Sequence, residues 1–352
     1  MRKDTRKKAE LSRVVVGIDV SDKWSQAYVV GEEEGPREAR FRTRPESVVK
    51  FFGDLAPAQV VLEAGTHSPW MASLLEDLGH EVLVADPSRL ALISRGKKKS
   101  DRLDAETLAR LGAADPKLLS PVRHRGERVR LDLARLRERA QLVRTRAQLV
   151  LHVRGAVKSF GERIPSCSTR VFVRKARALL SEGLAEAYGP MLEVIESLTR
   201  KIEELDEWLV KRAREGYPEV ALLQEIPGVG PVVALTFVLT VEDPRRFGSS
   251  RAVAAYAGLV PRLHESGEMR LPGRLSRAGD AELRRVLIQA GHYVLGRFGP
   301  DSRLRRWGLS VESRRGKRKA VAAVARKLAV ILHRMWVTRG HWDPEHGTHQ
   351  EA

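Results

Sequence analysis

The chain holds a single cysteine, Cys167, among 352 residues. One thiol cannot close an internal disulfide, which excludes a disulfide-stapled extracellular scaffold. Long apolar runs are missing too. No stretch reaches the about eighteen apolar residues of a membrane span, and the most apolar late segment is broken by Arg326 and Lys327. The first residues, Met1 to Arg13, are charged and lack the apolar region of a secretory signal. A cytoplasmic, reducing location is expected. Acidic residues are in short supply, 45 against 63 Lys and Arg, for a net charge of +18. That excess costs self-repulsion unless a polyanion neutralises it, so nucleic acid is the expected partner and an acidic membrane surface the rival. Five tyrosines occur, without the arginine, histidine and tyrosine arrangement of a tyrosine recombinase. No low-complexity tract or long internal repeat is present.

Length and a 42% hydrophobic content support two or three domains with real cores. Val14-Val15-Val16-Gly17-Ile18 reads as a buried strand, Trp24 to Val30 as a second and Ala39 to Thr43 as an alternating third. Pro45 opens a helical stretch, followed by a strand at Val60-Val61-Leu62, a helix from Pro69 to Leu78 and a strand at Val82-Leu83-Val84. This order fits the mixed sheet of a ribonuclease-H-like (RuvC-like) α/β domain; a doubly wound fold shares its later half. Apolar residues from Val129 to Val157 alternate four and three apart, as do Leu192, Ile195, Leu198, Ile202, Leu205 and Leu209. Two long helices with coiled-coil seams follow, packed as a hairpin or across a dimer. Arg135, Arg137, Arg139, Arg144 and Arg146 flank the first, as a nucleic-acid grip or a solvated face. The basic cluster Arg2-Lys3 and Arg6-Lys7-Lys8 is a nucleic-acid arm or a frayed terminus. A third region begins near Tyr217 and ends in a basic helix around Arg314 to Arg334.

Four carboxylates stand out. Asp19 and Glu63 each end a strand, which brings them to one sheet edge if the strands are neighbours. Asp101 and Asp104, three residues apart, share a helix face and repel unless a cation lies between them and the strand acids. Hard oxygen ligands select Mg²⁺ or Mn²⁺, and two such ions about 4 Å apart support in-line phosphodiester displacement. The competing reading for Asp101 is a helix cap. The run Arg95, Lys97, Lys98, Lys99 just before the pair suits an entering phosphate backbone, or is a solvated loop. Farther on, Pro227-Gly228-Val229-Gly230-Pro231 offers glycine N–H groups at a helix start for a phosphate, as in helix-hairpin-helix modules; a tight turn that needs glycine is the alternative. The connection from Ala254 to Asp280 gathers glycines, Ser266, Ser276, Arg262, Arg274 and Arg277, chemistry expected where a serine attacks a phosphodiester between cationic clamps. Ser276 reads as the N-cap of the helix carrying Leu283, Val286 and Leu287, and Ser266 has no evident structural task.

Taken in order, Gly17-Ile18-Asp19, Leu62-Glu63-Ala64, Ser100 to Ala105, Ile226 to Pro231, Ala254 to Arg262, Ser266-Gly267 and Ser276 to Asp280 leading to Leu283-Arg284-Arg285 resemble the DEDD-type insertion-sequence transposases, the family of the Piv invertase and the bridge-RNA-guided recombinases. The resemblance covers nearly the whole chain. It implies a basic tail (1–12), a ribonuclease-H-like DEDD catalytic domain (13–120), a coiled-coil dimerisation domain (121–215), a mostly α-helical C-terminal transposase domain (216–340) and a tail (341–352). It also implies Mg²⁺ (or Mn²⁺) on Asp19, Glu63, Asp101 and Asp104, and a nucleophile that falls on Ser266. There this chain has Glu265-Ser266-Gly267-Glu268 in place of the usual Ser-Ser-Gly-Gly. Implied partners are donor and target DNA, a structured guide RNA, and further copies of the chain as a dimer, or a tetramer in the synaptic complex, whose subunits share composite sites. The expected activity is RNA-guided DNA transposition or recombination through a 5′-phosphoserine intermediate. A metal-dependent nuclease or Holliday-junction resolvase, and a non-catalytic nucleic-acid scaffold, are the alternatives.

Overall fold

A computed structural model of the chain describes residues 14–33, 35–87, 101–266 and 269–345, without the side chains of Asp101 and of residues 263–272. The basic cluster from Arg2 to Lys8, Arg95, Lys97, Lys98, Lys99, Ser100 and Gly267 lie outside the described residues, as does the Ser266 side chain. The chain divides into two compact units, Met1–Arg125 and Gly126–Ala352.

The first unit is a three-layer α/β arrangement. Strands β1 (Val15–Val20), β2 (Trp24–Val30), β3 (Arg37–Arg42), β4 (Gln59–Glu63) and β5 (Glu81–Ala85) form one sheet in the order β3-β2-β1-β4-β5. The first three are antiparallel neighbours, and β4 and β5 run parallel to β1. Alternation decides what each face buries. Val16, Ile18, Ala27, Val29, Phe41, Val60 and Leu62 meet Val48 and Phe52 of α1 (Pro45–Phe52) and Met71 and Leu75 of α2 (Ser68–Asp77). The opposite residues, Val15, Val61 and Ala85 with Tyr28, meet Leu108, Ala105 and Ala109 of α3 (Asp101–Ala114). Pro at the first turns of α1 and α2 fits positions whose N–H lacks a helical partner.

The second unit begins with α4 (Glu127–Ala156), α5 (Phe172–Leu179), α6 (Glu182–Ala187) and α7 (Gly189–Gly216). Helices α4 and α7 lie antiparallel: Asp132 meets Arg212, Arg139 meets Asp206 and Arg146 meets Thr199. The two expected seams thus pack as a hairpin within one chain, and in its middle an ion pair lies alongside the buried Ala140 and Ile202. Leu133, Leu136 and Leu209 join one apolar cluster, and Val150, Val153, Leu192 and Ile195 another. Between them Arg139 forks onto Asp206 with 2.8 and 3.3 Å bonds. Of the arginines of α4, Arg135, Arg137 and Arg144 are exposed and Arg139 and Arg146 half-buried, each with a contact within the chain. Arg137 reaches Asp280, Arg144 approaches Glu282, Arg135 lies over Trp208, and burial beside Arg139 pushes the Arg146 guanidinium below its usual range.

The remainder packs α8 (Glu219–Leu223), α9 (Pro231–Val241), α10 (Ser250–Tyr256), α11 (Ala281–Leu295), α12 (Arg303–Arg315) and α13 (Lys317–Thr338) around an extensive apolar core. The expected basic helix is two helices, broken at Gly316, whose φ of 81° stops a helix. Within the connection from Ala254 to Asp280, β6 (Pro261–Ser266) and β7 (Met269–Leu275) pair as an antiparallel hairpin that was not expected from the sequence. Among the described residues no helix is long and apolar enough to cross a membrane.

Candidate active site

Glycine at position 17 lets α3 approach the sheet closely. A Cβ there would sit 2.1 Å from the Ala105 carbonyl oxygen and 2.4 Å from the Ala109 nitrogen. Farther along α3, Gly112 lies against Val61 and Val15. Gly112 near Val15 and Ala105 near Gly17 make α3 run opposite to β1, with its first turn toward Asp19. Four helical residues advance about 6 Å and two strand residues about 6.6 Å, so the helix start at Asp101 comes level with Asp19.

Ile18 of β1 pairs with Leu62 of β4. One step farther, Asp19 and Glu63 are neighbours on parallel strands about 4.8 Å apart, both on the α3 side of the sheet. They line one cavity of about 380 Å³ with Asp22, Gly65, Thr66 and His67. Asp19 is half-buried and Glu63 exposed. Asp104 is half-buried beside the Ala105 contact but does not line that cavity. Two of the four expected carboxylates are thus brought together, a third stands on the approaching helix, and the side chain of Asp101 lies outside the described residues. Among the described residues no group of three or more His, Cys, Asp or Glu is placed to hold a metal ion. The donor set at the cavity is nonetheless one of hard carboxylate oxygens, which suits Mg²⁺ or Mn²⁺.

His67 and Asp22 belong to this cavity and were not expected from the sequence. His67 Nε2 lies 3.4 Å from Asp22, and its Nδ1 accepts a 3.2 Å bond from Trp70 Nε1. The Nδ1 acceptor role leaves the proton on Nε2, toward Asp22. Ser68 Oγ bonds both the N–H and the C=O of Gly65 at 2.9 Å, fixing the loop. Position was the available signal, because loops beyond the carboxyl ends of parallel strands are where such sheets bind ligands.

In the second unit Ser266 ends β6, paired in register with Met269. Arg262, Arg274 and Arg277 are exposed around the hairpin base, and Arg262 donates to the Ser276 carbonyl at 3.3 Å. Ser276 is not the N-cap of α11. Asp280 is, accepting from the Leu283 N–H at 2.9 Å, because the positive φ of Arg277 (54°) and Gly279 (96°) delays the helix start. The Ser276 hydroxyl is instead buried without a hydrogen-bond partner. Gly228 has a φ of 91°, and a Cβ there would meet the Tyr293 ring at 2.6 Å; Gly230 takes an extended conformation before α9. The steric need for glycine at 228 is explicit.

Residues 16–161 match a family model described as a transposase, the DEDD type of IS110 elements, and residues 220–306 match the transposase IS116/IS110/IS902 family. A putative transposase, y4pF/y4sB of Sinorhizobium fredii, is 32% identical over 94% of this chain and 86% of its own length. The transposase for insertion sequence element IS1111A of Coxiella burnetii is 26% identical over 90% and 88%. The pilin gene-inverting protein of Moraxella lacunata is 30% identical over 32% of this chain and 35% of its own length. The class is that of DNA transposases and recombinases, enzymes whose partner is DNA. Within it the chain belongs to the IS116/IS110/IS902 transposase family. DEDD-type nuclease-like domains in general work with divalent metal ions.

Proposed function

We propose that the chain is an RNA-guided transposase or recombinase that cuts and rejoins DNA through a serine-linked intermediate. The observation that carries the reading is the adjacency of Asp19 and Glu63 on parallel strands, lining one cavity, with the first turn of α3 arriving from the opposite direction. The strand order β3-β2-β1-β4-β5 supports a ribonuclease-H-like first domain over 13–120. The helical hairpin is read as a separate domain over 121–215 that pairs subunits through surfaces outside its own intrachain packing, and the remaining packed helices as a transposase domain over 216–340.

On this reading Asp19, Glu63, Asp101 and Asp104 would hold Mg²⁺ or Mn²⁺, which when bound supplies charge stabilisation for phosphoryl displacement. The Ser266 hydroxyl loses its proton and attacks the scissile phosphorus. The bond to the 3′ oxygen breaks, that oxygen takes up a proton, and the 5′ phosphate stays on Ser266. Attack by another 3′ hydroxyl reverses the chemistry and joins new strands, so no external energy source is needed. Arg262, Arg274 and Arg277 grip phosphates at the hairpin base, and Gly228 and Gly230 approach the backbone near α9. Lys97, Lys98 and Lys99 do the same at the carboxylates. The net charge of +18 suits two polyanions, DNA and a structured guide RNA. Within a dimer or tetramer the acids of one subunit complete the serine of another.

DNA strand cleavage by the full-length chain with Mg²⁺ tests the reading. Asp19→Asn and Glu63→Gln should each lower the rate by at least about a hundredfold, as loss of several kcal/mol of charge stabilisation requires. Undiminished cleavage in Asp19→Asn would overturn it.

A further inference from the structure

We propose that Trp24, Arg40 and Arg42 form a binding site for an unpaired strand of the substrate DNA, an inference that rests on the DNA-cleaving reading of the Asp19–Glu63 edge. Residues 24, 26 and 28 of β2 and 38, 40 and 42 of β3 face the α3 side of the sheet. That helix covers only part of this face. Tyr28 is buried against Ala105 and Ala109, and Glu38 pairs with Arg102 at 2.6 Å. Beyond Glu38, among the described residues, Trp24, 37% exposed, shares the face with the exposed Arg40 and Arg42. Each guanidinium carbon lies 4.8 Å from the Trp24 ring centroid. Among the described residues neither arginine has a carboxylate partner.

An exposed indole with two guanidinia over its ring, neither held by a carboxylate among the described residues, is the chemistry of a single-strand site. As the guanidinia swing off the ring to take the phosphates, a base takes their place on the indole. A duplex keeps its bases stacked on each other and cannot use the indole. Register connects this patch to the acids: Arg40 opposes Gln26, Gln26 opposes Asp19, and Asp19 neighbours Glu63. Arg40 is therefore two strands from Asp19, about 10 Å. A row that leads from a stacking platform to the cleaving carboxylates favours DNA over RNA as its occupant.

Fluorescence anisotropy of the full-length Asp19→Asn protein in EDTA tests this, with labelled single-stranded DNA, duplex DNA and single-stranded RNA of one mixed sequence. Trp24→Ala should weaken single-stranded DNA by about tenfold and leave the duplex within about twofold. Trp24→Phe should restore most of the loss. Arg40→Gln with Arg42→Gln should reduce the salt slope for single-stranded DNA by about 1.4, the value for two phosphates. Unchanged single-strand affinity in Trp24→Ala, equal weakening of all three probes, or a loss confined to RNA would each overturn the proposal. Should Trp24→Ala not fold, the double arginine variant decides through the salt slope. No cleavage is read here, so a failed cleavage assay would count against the proposed function and not against this site.

Discussion

Asp132 of α4 is buried, and its Oδ2 accepts from Arg212 Nε at 2.9 Å and from the Tyr217 hydroxyl at 2.6 Å. Burial, reinforced by Asp132, pushes the Tyr217 phenol up to about 12. A group whose folded value is raised adds stability that is complete below its unfolded value and is lost as pH climbs through the folded one. This contribution, on the order of 2 kcal/mol, is thus present below about pH 10 and gone above about pH 12. Urea melts across that window should show the fall in the native chain, and Tyr217→Phe should flatten it. Gly17 makes a sharper residue-scale case. Gly17→Ala forces a Cβ against the backbone of α3 and should cost at least about 1–3 kcal/mol in chemical denaturation, with loss of cleavage as the Asp104 helix shifts. Gly155→Ala, whose Cβ meets nothing within 4 Å, should instead stabilise by up to about 1 kcal/mol.

At the scale of elements, the start of α11 distinguishes a cap from a bystander. Asp280→Ala removes the bond to the Leu283 N–H and the partner of Arg137, and should cost about 1 kcal/mol or more. Ser276→Ala should cost nothing measurable, because the hydroxyl it removes is buried and unbonded. Thermal melts of the two variants side by side check this. Strands β1, β2, β4 and β5 were legible in sequence because short apolar runs bounded by polar residues have few other ways to be buried. The hairpin β6–β7 was not, since glycines, arginines and hydroxyls hid its pairing. The cue was Gly267-Glu268, two residues with glycine first, set between alternating segments. The ion pair between α4 and α7 was equally hidden, because Arg139 and its partner Asp206 are far apart in the chain.

Across the whole molecule, the sequence spoke clearly where function is a matter of residue type and faintly where it is a matter of register. Asp19 and Glu63 were recognisable singly as strand-end acids. That they are neighbours follows from a parallel pairing that neither strand announces alone. His67 and Trp24 went unnoticed for the same reason: each acquires meaning from the row or cavity it shares. The charge of +18 pointed to nucleic acid, but much of the arginine on α4 is engaged within the chain. Contact with DNA is therefore expected from the β3 edge and the β6–β7 hairpin base more than from the long helices.

The central claim, that strand-end carboxylates and a hairpin serine serve one reaction, is tested most directly by mapping a covalent protein–DNA adduct. Full-length protein would be incubated with a nicked DNA substrate and Mg²⁺, digested, and the modified residue found by mass spectrometry. The account predicts a 5′ phosphate on Ser266, absent from Ser266→Ala and lost in Asp19→Asn or with chelator. An adduct on another residue, an adduct that persists in Asp19→Asn, or cleavage with no adduct at all would contradict it.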